Sequence, residues 1–192
     1  MLNNSVRNYF ECSKGKFGHM TELQAEFITE QLKENKLNNV LEIGFAGGRH
    51  TYTVLKTFSV KKWITVDIDY DYHNGRHKTD DIKKEFDNVE IDFVEGDSRL
   101  IITNDFMTKN FPEGIDYALV DGGHGYDVAL KDMQNVFKHL KAGGIMIVDD
   151  YKSKRCPIKT VDMAVEHFAK NNKVDFQTVS LEDGKGMAVF RR

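Results

Sequence analysis

The chain has little cysteine, no long apolar run and no block of like charge, and each lack narrows what it can be. Cys12 and Cys156 are its only thiols and stand far apart, so they read as unpaired thiols of a reducing, cytoplasmic compartment rather than a disulfide framework. The opening stretch MLNNSVRNYFECSKGK lacks the apolar centre of a secretion signal, and no apolar run approaches the length of a membrane span. Lysine and arginine (27) nearly balance aspartate and glutamate (30), a net charge of -3, so nothing draws the whole chain toward nucleic acid or an anionic membrane. Repeats, low-complexity tracts and linkers are missing too. What remains, at 192 residues with 40% hydrophobic and 30% charged, is a polar arm over residues 1–19 without clear period, then one domain over 20–192 able to bury a full core.

What is there centres on Val40–His50, VLEIGFAGGRH. Val40, Leu41 and Ile43 read as a short buried strand; Gly44, Ala46, Gly47 and Gly48 make a turn that tolerates almost nothing bulky, and a helix follows over Arg49–Phe58. Strand, turn and helix bring free N–H groups and a positive helix end to one point, which suits a nucleotide-like ligand. The dinucleotide fingerprint G-x-G-x-x-G fails, because its frame falls on Gly44, Ala46 and Arg49. The pattern present, Glu42-x-Gly44-x-Ala46-x-Gly48, resembles instead the first motif of class I S-adenosylmethionine-dependent methyltransferases. That resemblance implies a sulfonium nucleoside seated over Glu42, Gly44, Phe45, Ala46, Gly47 and Gly48.

The remaining chain alternates strands and helices. Met20–Asn35 carries Leu23, Phe27, Ile28 and Leu32 at helical spacing with Thr21 as cap. Gly18, His19 and Met20 before it either line the cofactor pocket or form a helix entry. A second strand, Trp63–Val66, ends in Asp67-Ile68-Asp69, and an acid at that point is placed for ribose hydroxyls, so Asp67 is the ribose ligand and Asp69 a turn residue or a helper. A helix over Asp80–Phe86, a strand over Glu90–Val94 and one helix from Ser98 to about Lys109 come next. The resemblance carries an adenine-side contact onto Asp97 and Ser98, although Asp97 also suits a plain helix cap. A fourth strand, Ile115–Val120, runs into Asp121-Gly122-Gly123-His124-Gly125-Tyr126; a helix with Val128, Leu130, Met133 and Val136 follows, and Gly143-Gly144 precedes a strand over Ile145–Val148 that ends in Asp149-Asp150. After another helix the chain closes with Val174–Val179 and Gly186–Phe190 joined across Asp183-Gly184, a hairpin signal.

Such an alternation predicts an α/β doubly wound, Rossmann-like sheet, and the hairpin forces an antiparallel last strand. Class I methyltransferases have that strand, with seven in the order 3-2-1-4-5-7-6, and ligands bind where the order reverses, between strands 1 and 4. Asp121, Asp149 and Asp150 then lie at the ends of neighbouring strands about 4.8 Å apart, where like charges repel unless a cation neutralises them. All-oxygen ligands favour Mg²⁺, with Mn²⁺ or Ca²⁺ as substitutes, over structural zinc.

Asp121-x-x-His124 followed by Asp149-Asp150 is similar to the metal-dependent O-methyltransferases, the group of catechol O-methyltransferase and the macrolide sugar O-methyltransferases. The similarity runs from Gly18 to the final hairpin and implies Asp121, Asp149 and Asp150 as metal ligands, Asp121 also beside the cofactor, and His124 as general base. The acceptor so implied is a small hydroxylated molecule (sugar, polyol or catechol-like), with no nucleic-acid or membrane partner and with a homo-oligomer compatible. Ala46 departs from the usual glycine, and the short arm lacks the substrate-covering elements of the macrolide enzymes. Lys152, Lys154 and Arg155 could meet an anionic acceptor group or simply be solvated, and Tyr126, Tyr151 and His19 could wall the acceptor. Competing readings are an NAD(P)-dependent oxidoreductase, disfavoured by the failed third glycine and the hairpin, and a binding module without catalysis.

Overall fold

The computed structural model describes residues 2–12, 20–71, 75–154 and 159–192. Period-two alternation builds its sheet: strands β1 (Asn39–Ile43), β2 (Lys62–Asp67), β3 (Glu90–Glu95), β4 (Ile115–Val120), β5 (Leu140–Asp149), β6 (Phe176–Ser180) and β7 (Gly186–Arg191) pair in the order β3-β2-β1-β4-β5-β7-β6. The first five are parallel, while β7 runs antiparallel to both β5 and β6. The doubly wound sheet with its reversed last strand is therefore as the sequence implies.

Two apolar layers sandwich that sheet. On one face Val40, Trp63, Tyr117, Leu119, Ile147 and Val189 meet helices α1 (Asn4–Cys12), α2 (Glu22–Leu32), α3 (Arg49–Thr57) and α4 (Arg76–Glu85). On the other, Leu41, Ile43, Val66, Ala118, Met146 and Phe190 meet α5 (Ser98–Ile101), α6 (Asn104–Asn110), α7 (Tyr126–Phe137) and α8 (Thr160–Asn172). Buried on both faces, the central strands read as near-continuous apolar runs, which is why they were visible in sequence. Among the described residues no helix is long and apolar enough to cross a membrane.

Helix α4 starts four residues before the expected Asp80 and β6 two after the expected Val174, and three further differences have a local reason. The arm holds α1, whose apolar stripe of Val6, Tyr9 and Phe10, with Leu2 ahead of it, is too short to stand out among its polar neighbours; the Asn3 side chain accepts the Val6 N–H at 3.0 Å. The helix expected from Ser98 breaks at Ile102, because the Thr103 hydroxyl takes the Phe106 N–H at 3.2 Å and restarts the chain as α6. Strand β5 begins at Leu140, ahead of Gly143-Gly144, with a register shift opposite Ile115 and Tyr117 and Gly143 at φ 79°. Thr21 caps α2 with Gln24 in a reciprocal capping box, as its spacing suggests.

Candidate active site

The order of the sheet reverses between β1 and β4, so the loops that leave their carboxyl ends part in opposite directions and open a crevice. The two loops touch at its floor: Asp121 N–H donates to the Ile43 carbonyl at 2.8 Å, and a Cβ on Gly44 would lie 2.0 Å from the Asp121 carbonyl oxygen. Gly44 (φ 90°), Ala46 (47°) and Gly48 (73°) take left-handed conformations, strained at alanine, and lead directly into α3. Asp67 closes over this turn, its Oδ2 accepting the N–H of Phe45 at 2.6 Å and of Ala46 at 3.3 Å, its Oδ1 that of Asp69 at 3.0 Å. The arm reaches the turn as well, with the Tyr9 hydroxyl donating to the Gly47 carbonyl at 3.0 Å.

Two residues of the motif point away from the crevice. Phe45 turns its ring into the core against Tyr70 and Phe93, at 5.3 and 5.1 Å between centroids. Glu42 lies on the α3 face of the sheet, wholly buried: His50 Nδ1 is 2.7 Å from its Oε1, and the hydroxyls of Thr51 and Thr65 donate to Oε2 at 2.5 and 2.7 Å. Both carboxylate oxygens are thus engaged within the protein, and Glu42 braces the turn from behind. His50 Nε2 extends the network to the Tyr117 hydroxyl at 2.7 Å.

On the β3 side, Asp97 caps α5 and pairs with Arg99, which holds its carboxyl below the usual range. The cap reading therefore holds at Asp97. Ser98 is buried and faces Asp132 of α7, whose carboxyl burial pushes up to about 7; the hydroxyl pulls the other way without full hydrogen-bond geometry to either oxygen.

The acids after β4 and β5 are arranged differently from the expected trio. Asp121, His124 and Asp150 form the compact group, their ligand atoms all within 4.8 Å of one another, with His124 Nε2 3.1 Å from Asp150 Oδ2. Asp150 stands at φ 59°, a strained conformation that aims its carboxylate into this group. Asp149 is buried beside this group, its Oδ1 accepting from Gln24 Nε2 at 2.7 Å. Lys185, from the β6–β7 hairpin, puts Nζ 3.0 Å from Asp150 Oδ1 and 3.8 Å from Asp149 Oδ2. Burial, then repulsion from Asp149 and Asp150, drives the Asp121 carboxyl well above the carboxylate range, while Lys185 draws it back. Burial also raises Asp149, and it opposes the charge on Lys185 but is outweighed by the two acids, so the ammonium is held above its ordinary value. Donors lying on either side of one divalent ion are separated by about 4–5 Å, so Asp121, His124 and Asp150 fit such an ion, with a nitrogen among the oxygens.

Sequence reasoning had no view of Gln24, His50, Asp132 or Lys185. Gln24 carried a signal only as the fourth residue of a capping box, and Lys185 only as the residue after a hairpin turn. Of the suggested acceptor-wall residues, Tyr151 is buried against Phe176, and the Tyr126 hydroxyl meets His167 Nδ1. Lys152 lies over the Tyr151 ring. Gly18, His19, Arg155 and Cys156 lie outside the described residues.

Comparison with known proteins bears on this crevice. A family profile described as a methyltransferase domain matches residues 41–151, from β1 to the turn after β5. An O-methyltransferase from Bacillus cereus in complex with S-adenosylhomocysteine (SAH) superposes with a TM-score of 0.74 at 12% identity, over 100% of this chain and 92% of that one. The SAH-bound methyltransferase PaMTH1 of Podospora anserina gives 0.75 at 14% identity over 99% and 88%. The O-methyltransferase TomG of Streptomyces achromogenes, involved in tomaymycin synthesis and bound to S-adenosylmethionine, gives 0.71 at 12% over 100% and 91%. At such identity the shared property is the fold. In sequence, an uncharacterized protein of Acanthamoeba polyphaga mimivirus is 36% identical over 49 residues, 26% of this chain and 22% of that protein.

Proposed function

The chain belongs to the methyltransferase domain family, and from that premise we propose that it moves the methyl group of S-adenosylmethionine to an oxygen of a small hydroxylated acceptor, a sugar, polyol or catechol-like compound. The observation that carries this reading is the junction of the left-handed glycine turn with the His124–Asp150 pair at one switch point. The donor nucleoside lies over Gly44–Gly48, its ribose toward Asp67 and its adenine toward Asp97 and Ser98. The sulfonium then faces the loop of Asp121–His124.

His124 acts as general base. Its ring is 44% exposed and thus open to an acceptor, while Asp150 at 3.1 Å steadies the imidazolium formed when it takes the hydroxyl proton. The acceptor oxygen attacks the methyl carbon in line with the departing sulfur, the electron pair of the carbon–sulfur bond leaving on SAH, and alignment supplies much of the rate. Asp121 and Asp150 would hold a divalent cation, Mg²⁺ by donor chemistry, which when bound lowers the pKa of an acceptor hydroxyl. A cytoplasmic setting accords with two lone cysteines.

The test is His124→Ala. Methyl transfer from labelled S-adenosylmethionine is expected to fall by about 10²–10⁴-fold, with calorimetric SAH affinity and divalent-ion affinity unchanged. Loss of ion binding would make His124 a ligand instead of the base. Uptake of NAD in place of SAH by the parent protein would overturn the reading altogether.

A further inference from the structure

The acids after β5 have a cation of their own. Lys185 follows the turn Asp183-Gly184, where its N–H donates to Asp183 Oδ1 at 3.0 Å, and the hairpin it belongs to is fastened over the acid-bearing loop. Lys154 N–H and the Ser153 hydroxyl donate to the Gly184 carbonyl at 2.8 and 3.3 Å. Gly186 packs so tightly that a Cβ there would lie 2.2 Å from the Tyr151 carbonyl oxygen. Register does the rest, since Met187 pairs with Asp149 and so brings Lys185 beside the end of β5. The side chain is 12% exposed, a rare degree of burial for lysine, and it ends 3.0 Å from Asp150 and 3.8 Å from Asp149.

We propose that Lys185 is the resident counter-cation of this centre, holding Asp150 by one oxygen so that the other faces His124, and competing with a divalent ion for the same carboxylates. The inference rests on the reading of Asp121 and Asp150 as the ion's donors. Each oxygen of Asp150 already has a partner, so an ion entering that group must share Asp150 with an ammonium and meet its repulsion in a site screened from solvent. The consequence is weak ion binding set by one residue that lies outside the donor group.

Mn²⁺ binding, read from free-ion electron spin resonance, tests this on the full chain with Lys185→Gln and Lys185→Arg. Removal of the charge is expected to tighten Mn²⁺ binding by at least about tenfold, whereas the arginine variant stays within about threefold of the parent. Equal or weaker binding in Lys185→Gln, or none in either protein, overturns the proposal. Should Lys185→Gln fail to fold, the ammonium resonance of Lys185 in the ¹⁵N-lysine-labelled parent is followed instead: titration with Mg²⁺ must shift it, and an unmoved signal overturns the proposal equally. SAH calorimetry on the same samples separates the two levels. With SAH bound and the ion result negative, only the counter-cation fails; with no SAH uptake by the parent, the methyl-transfer reading falls on its own account.

Discussion

Glu42 shows how a motif residue can be tied into the protein that carries it. Its carboxylate is buried and fully engaged by His50 and Thr51, which hang the start of α3 on the end of β1, and by Thr65 of the neighbouring strand β2. Buried charge is costly unless every oxygen has a partner, and here each does. Glu42→Ala leaves an imidazole and two hydroxyls facing an apolar void, and a loss of about 3–5 kcal/mol is expected in chemical denaturation. The fraction still folded should bind SAH with near-parental affinity. A variant that folds normally but loses SAH would instead make Glu42 a direct ligand. Its role was illegible because sequence shows an acid before a glycine but not which face of the strand carries it; only the alternation of Val40 and Glu42 with Leu41 and Ile43 assigns it to the α3 side.

At the scale of elements, legibility followed burial. The central strands and the α2 cap could be read because a doubly buried strand is an apolar run and a capping box is a local pattern. Helix α1 could not, since its apolar stripe of Val6, Tyr9 and Phe10 spans barely one turn, and its place is set by partners distant in sequence. Tyr9 supplies them: its ring stacks on Tyr52 at 4.0 Å and its hydroxyl holds the Gly47 carbonyl. Arg49 adds a bond from its guanidinium to the Phe10 carbonyl at 3.2 Å. The arm is thus a brace on the glycine turn. Tyr9→Phe keeps the stack and drops the bond, with an expected cost of about 1 kcal/mol in stability and an SAH affinity lower by about two- to fivefold. Unchanged affinity alongside lower stability would reduce α1 to packing. The acid group divides along the same line: Asp121 with His124, and Asp150, stand at the ends of two readable apolar strands and were visible, whereas Gln24 and Lys185 arrive from α2 and the last hairpin and needed the folded sheet.

Across the whole molecule, burial raises several carboxyls above their ordinary range, and this shapes the response to pH. Asp132 is the cleanest case, fully enclosed between α7, Ser98 and the Gly122 turn, with its carboxyl raised from 3.8 to about 7. In the unfolded chain it ionises near its ordinary value, so between the two values the folded state holds a proton that the unfolded state has lost. Stability from this group is therefore complete below about pH 4 and falls as pH rises toward 7, by on the order of 4 kcal/mol, before levelling once both states are ionised. Asp121 and Asp149 are displaced in the same direction, so the parent curve sums all three. Asp132→Asn isolates one of them, because an amide of the same shape has no proton to lose. Urea midpoints measured from pH 4 to pH 8 are expected to drop less steeply in the variant, with the gap between the curves widening through the window and constant above it. Parallel curves would mean that Asp132 is ionised inside the fold, and that the Ser98 turn holds a charge instead of a neutral acid.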